Sequence, residues 1–124
     1  MPNDPAKLAD AFLSRITEDE TGIWELVDEA ATQLPDMPAE TRLALARAAL
    51  DLLLTREFVI ATRGRPFGNG DRLESREARA AIAEPEIWGS PEFTGNTATL
   101  MLDATATGNN FYFSGAKLAT NEPG

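Results

Sequence analysis

The chain has 124 residues, a formal net charge of −9, and neither cysteine nor histidine. Its length suits one domain around a single core, and 43% hydrophobic with 25% charged residues are ordinary globular proportions. Without cysteine or histidine there is no disulfide, no thiolate nucleophile, no Ser-His-Asp or Cys-His arrangement and none of the commonest zinc sites.

The charge is unevenly spread. Residues 1–41 hold two basic and ten acidic side chains, residues 42–79 hold eight arginines and five acids, and residues 80–124 hold one lysine and five acids. A basic centre between acidic flanks suits an anionic partner locally, while the overall field repels a polyanion from most directions. No window approaches the roughly 20 apolar residues of a membrane span. The opening MPNDPAKLAD lacks the basic-then-apolar order of a secretory signal. A cytoplasmic chain that does not enter a membrane is expected.

Ala9, Phe12, Leu13 and Ile16 form one apolar stripe at helical spacing, which predicts a first helix over residues 5–16. Thr17-Glu18-Asp19-Glu20 has the form of a capping box and predicts a second helix from about Glu20 to Gln33. Its inner face is expected to be Ile23, Val27, Ala30, Ala31 and Leu34, with Trp24 at the edge. Pro35 and Pro38 bracket the stop, and Pro38 suits the first turn of a third helix. In that helix Leu43, Ala46, Leu50, Leu53 and Leu54 share one side, Leu45, Ala49 and Leu52 widen it, and Arg47 shares the polar remainder with Glu40 and Asp51. An apolar arc this wide predicts a central helix contacted on two sides.

Phe58 to Thr62 follows at once and reads as a strand. Gly64 to Asp71 reads as a loop or wing tip, with Gly68-Asn69 as a hairpin turn. Ser75 is expected to cap a short helix ending at Ala83 before Pro85, and Thr97 to Leu102 to form a second strand. Residues 105–113 are expected to make a turn and a closing element, with Phe111, Tyr112 and Phe113 packed on the core. A single domain over 1–113 and a disordered tail over 114–124 complete the layout.

Three helices, the last leading straight into a strand, then a loop and another strand, resemble a winged helix-turn-helix domain. Leu50 to Ile60, LDLLLTREFVI, resembles the end of such a domain's third helix and its entry into the first wing strand. Thr105 and Gly108, followed by Tyr112, resemble the T-x-x-G segment after the last wing strand in bacterial winged-helix proteins. The layout also resembles small bacterial proteins with a tryptophan before the last strand, as at Trp88. The resemblance implies an α+β, winged-helix-like fold: three N-terminal helices, then a small antiparallel sheet with an inserted short helix. DNA binding is the best-known activity of that family, yet the third helix offers a single arginine, Arg47, among its polar positions, and Thr97 to Asn110 contain no lysine or arginine.

Three constellations carry candidate chemistry. Arg56, Arg63, Arg65, Arg72, Arg76 and Arg79 surround the glycine-rich loop and are either a phosphate or carboxylate patch or a solvated face paired with Glu57, Asp71, Glu74 and Glu77. Gly64 to Gly70 lacks the G-K-[ST] ending of a phosphate-binding Walker loop. The acids from Glu18 to Glu29 have no EF-hand spacing and suit a helix start or a basic protein partner. The aromatic residues line either a pocket or, as is commoner, the core.

The reading is a non-enzymatic domain without a cofactor or metal, acting through a protein partner or self-association, with Arg47, Arg63, Arg65 and Arg72 as the anion or partner contacts. A DNA-binding regulator is the competing reading, disfavoured by net charge, and a small carboxylate enzyme is the third.

Overall fold

The computed structural model describes residues 5–64, 70–89 and 99–119, in which five α-helices and four antiparallel strands make a mixed α+β unit. α1 (Pro5–Glu18) buries Leu8, Ala9, Phe12, Leu13 and Ile16, the expected stripe with Leu8 added, and runs two residues past the expected end.

The second helix does not grow from a cap at Thr17. Thr17 is still inside α1, and a two-residue strand, β1 (Thr21–Gly22), precedes α2 (Ile23–Gln33). β1 exists because β4 (Thr99–Ala104) runs beside it, Thr21 facing Leu102 and Gly22 facing Met101. The N-terminal cap is supplied further on: the Glu25 carboxylate accepts the Gly22 N–H at 2.8 Å. A Cβ at 22 would enter the Trp24 ring, so any residue but glycine there displaces that side chain.

α2 buries Ile23, Leu26 and Ala30. Val27, expected inside, is 39% exposed, and Ala31 and Leu34 are half-buried. Pairing of β1 with β4 fixes the direction from which α2 sets out, and that phase turns Leu26 inward. Arg42 then ties the α2–α3 connection by donating to the Met37 carbonyl at 2.7 Å and the Leu34 carbonyl at 3.5 Å. α3 (Ala39–Thr55) follows Pro38 and buries Ala46, Ala49, Leu50, Leu53 and Leu54, with Leu43, Leu45 and Leu52 packed at the edge of the core. It lies chiefly against α1 and α2, as an arc of that width demands.

The sheet has four strands rather than two, in the order β1–β4–β2–β3. β2 (Val59–Gly64) pairs with β4 from Val59–Ala104 to Gly64–Thr99, and with β3 (Gly70–Leu73) from Ala61–Leu73 to Gly64–Gly70. The expected loop thus begins and ends in paired strand; its middle, with Gly68-Asn69, lies outside the described residues. Ala61, Leu100 and Leu102 are buried against the helices, and Leu73 packs at the edge of that core.

α4 (Ser75–Ala81) ends two residues before the expected Ala83. Ser75 is not its cap: the Glu74 N–H donates to Glu77 Oε1 at 3.1 Å, while Ser75 Oγ donates to the Leu54 carbonyl at 2.9 Å and ties α4 to the end of α3. A 3₁₀ turn over Pro85–Trp88 follows, where buried Trp88 donates Nε1–H to the Ile82 carbonyl at 2.9 Å. Phe93, Thr97 and Ala98 lie outside the described residues.

Residues 106–113 form a helix, α5 (Ala106–Phe113). Phe111 meets Phe58 with ring centroids 4.5 Å apart, and the Tyr112 hydroxyl is 2.9 Å from Ser14 Oγ. Phe113, expected to pack inward, is 72% exposed, because Phe111 and Tyr112 occupy the inner side and the next residue turns about 100° away. Residues 114–119, expected to begin a disordered tail, run back over α1: Asp10 accepts the Leu118 and Ala119 N–H groups at 2.8 and 2.9 Å. Helices and strands therefore interleave, in place of three helices followed by a sheet.

Candidate functional site

At one end of the sheet three helix termini meet. α3 closes with the Phe58 N–H on the Leu53 carbonyl and the Glu57 N–H on the Leu54 carbonyl, both at 3.0 Å, which is a Schellman turn. Glu57 holds the left-handed position at φ 59°, where glycine is usual. The turn presents the Glu57 and Phe58 carbonyls to α5. Thr105 takes both, donating Oγ1–H to Glu57 O at 2.7 Å and its N–H to Phe58 O at 2.9 Å. The same Oγ1 accepts the Gly108 N–H at 2.9 Å and caps α5. A Cβ on Gly108 would fall on the Phe58 carbonyl, so only glycine lets α5 sit this close. The Thr105-x-x-Gly108 segment is thus a clamp between α5 and the α3–β2 turn.

Beside this clamp opens a groove of about 1000 Å³. Ile60 and Leu73 contribute its apolar surface over buried Leu54 and Val59, Thr105 and Thr107 its hydroxyls, and Arg56, Arg72 and Arg76 its positive charge. The arginines come from three places: the residue capping α3, β3, and the first turn of α4. All three are exposed, and none makes an ion pair among the described residues. Glu57 and Glu74 also line the groove without bridging to them. Three unpaired guanidinium groups over apolar surface suit a carboxylate or phosphate, which each can bind through two parallel hydrogen bonds.

A second concavity of about 480 Å³ lies between α1 and α2 and is acidic. Arg15 spans it, 3.2 Å from Glu25 and 3.4 Å from Glu29. At its rim Glu20 stands beside Asp103 of β4; burial first, then the charges of Asp103 and Asp19, raise the Glu20 pKa above its ordinary value. Among the described residues no group of three or more acids could hold a metal ion.

The four arginines singled out in the sequence are not brought together. Arg72 is in the groove. Arg63 is exposed on β2 beside Asp71, towards the β2–β3 connection, and Arg65 lies outside the described residues. Arg47 is half-buried on α3, its Nε enclosed without a hydrogen-bond partner among the described residues. It does not pair with Asp51, which takes Arg79 at 2.7 Å. Arg56 and Arg76, grouped in the sequence with the glycine-rich loop, join Arg72 because β3 returns the chain to the end of α3. Their bland pairing with Glu57, Asp71, Glu74 and Glu77 does not occur among the described residues. The Glu20–Asp103 contact had no local signal, its members being 83 positions apart. Of the aromatics, Phe58, Trp88, Phe111 and Tyr112 belong to the core or its edge.

No family model, curated protein or solved structure matches this chain. No helix among the described residues is long and apolar enough to cross a membrane.

Proposed function

We propose that this chain is a winged-helix-like domain, without catalytic chemistry of its own, that acts through contacts with protein. The observation that carries the reading is the groove with its unpaired Arg56, Arg72 and Arg76 beside Ile60 and Leu73. Arginines held in ion pairs would be read as structural. Exposed and unpaired next to apolar surface, they have the composition that interfaces favour. The winged-helix likeness is supported by α1, α2 and α3 packing together, by α3 turning directly into β2, and by the β2–β3 hairpin. β1, α4 and α5 are additions to that plan.

The competing reading, a DNA-contacting regulator, draws on exposed Arg63 near the hairpin end. α3 gives it little support, since Arg47 is half-buried, Asp51 is paired with Arg79, and Arg42 is turned back onto the α2–α3 connection. Light scattering across protein concentration, together with affinity capture using the parent and an R56A/R72A/R76A variant, tests the reading. Self-association or capture that the triple variant loses is expected. A strict monomer that captures nothing overturns the proposal, and duplex binding at low salt that weakens steeply as salt rises transfers the assignment to DNA.

A further inference from the structure

The arginine groove and the acidic rim are neighbours on one end of the sheet. Glu20 precedes β1, whose register with β4 sets it beside Asp103, and Asp103 stands opposite Ile60, which lines the groove. Stepping across the strands thus leads from Glu18, Asp19 and Glu20 on one side to Arg56, Arg72 and Arg76 on the other. Glu18 and Asp19 are exposed and, like the three arginines, make no ion pair among the described residues.

We infer that the groove docks a second copy of the chain, the occupant being the acidic edge around Glu18 and Asp19 of that copy. The inference rests on the protein-interaction reading above and adds the partner. Two arguments favour a second copy over a foreign protein. The complementary charge is on the same molecule, in a chain whose first 41 residues hold ten of its 20 acids. In addition, a two-fold axis passing between adjacent patches of opposite sign lays each patch on its opposite in the partner, so one symmetric contact satisfies both. A like-signed pairing of the same faces would be repulsive, which fixes the orientation. Ile60 and Leu73, both partly exposed, give the contact an apolar centre with the charges around it.

The test is a charge exchange read by sedimentation velocity. The parent is expected to form dimers at low salt that dissociate as sodium chloride rises, because the contact is ionic and accessible to water. R72E/R76E makes the groove acidic, and E18K/D19K makes the edge basic. Both suit their positions, an acid in the first turn of α4 and lysines at the end of α1 favouring the helix dipoles. Each variant alone is expected to sediment as a monomer, and an equimolar mixture to regain the dimer mass, since every acidic patch then meets a basic one. Circular dichroism of each variant confirms that folding is kept, and the salt titration of the unmodified parent stands independently of both. A parent that is monomeric at all salt concentrations, variants that still dimerise, or a mixture that stays monomeric overturns the inference. A monomeric parent that binds a polyglutamate peptide, with binding lost in R72E/R76E, overturns the second-copy assignment and leaves the protein-interaction reading standing. A strict monomer that neither binds the peptide nor captures any protein overturns both.

Discussion

Replacing Gly108 by alanine sets two physical effects of opposite sign against each other. Gly108 is in the first turn of α5, and alanine in place of glycine within a helix is worth about 1 kcal/mol of added stability. The structure predicts the reverse. A Cβ at 108 would meet the Phe58 carbonyl, with the carbonyl carbon 2.9 Å and Phe58 Cα 3.0 Å away. These are backbone atoms fixed by the Schellman turn and by β2, so α5 must move. Moving it lengthens the two bonds by which Thr105 holds Glu57 O and Phe58 O, each worth about 1 kcal/mol. It also opens the Phe58–Phe111 ring contact, worth about 1 kcal/mol. Set against the propensity gain, the net cost of Gly108→Ala is about 2 kcal/mol. Urea denaturation followed by tryptophan fluorescence measures it as a lower midpoint at unchanged slope. A variant as stable as the parent, or more so, would refute the close approach as the reason for glycine at this position.

Three further outcomes follow from named contacts. Glu57→Gly relieves the positive φ at the end of α3 and is expected to stabilise by about 1 kcal/mol in the same denaturation assay, since Glu57 contributes only its backbone to the turn. Glu20→Gln tests the carboxyl contact with Asp103. Because the folded state raises the Glu20 pKa, ionising Glu20 costs stability at neutral pH, and the cost disappears once pH falls below the ordinary value of 4.5. The variant should therefore melt above the parent at pH 7, with the difference vanishing below about pH 4.5; a constant difference across that range would count against the contact. Asp10→Ala removes the acceptor for the Leu118 and Ala119 N–H groups, so hydrogen exchange at those two amides should quicken while amides of the sheet keep their protection.

Much of the architecture was legible in the chain itself, and the Thr105-x-x-Gly108 segment shows the limit of that legibility. Helices announce themselves through local periodicity: the stripe through Phe12 and Ile16 and the broad apolar arc of α3 require no knowledge of distant residues. Threonine and glycine three apart resemble a known turn, but their work on the Glu57 and Phe58 carbonyls appears only when α5 is laid on the α3–β2 turn. β1 has two residues, too few for any alternation, and is a strand solely because Leu102 and Met101 lie beside it. The same holds for the site. Sequence proximity gathered six arginines around a loop, whereas the β2–β3 hairpin sends Arg72 and Arg76 back to Arg56, leaves Arg63 near the far end and gives Arg79 to Asp51. Helical periodicity is a property of neighbours in the chain and so was determined by the sequence alone; strand partners and charge groupings are properties of neighbours in space, and the tertiary structure decided them.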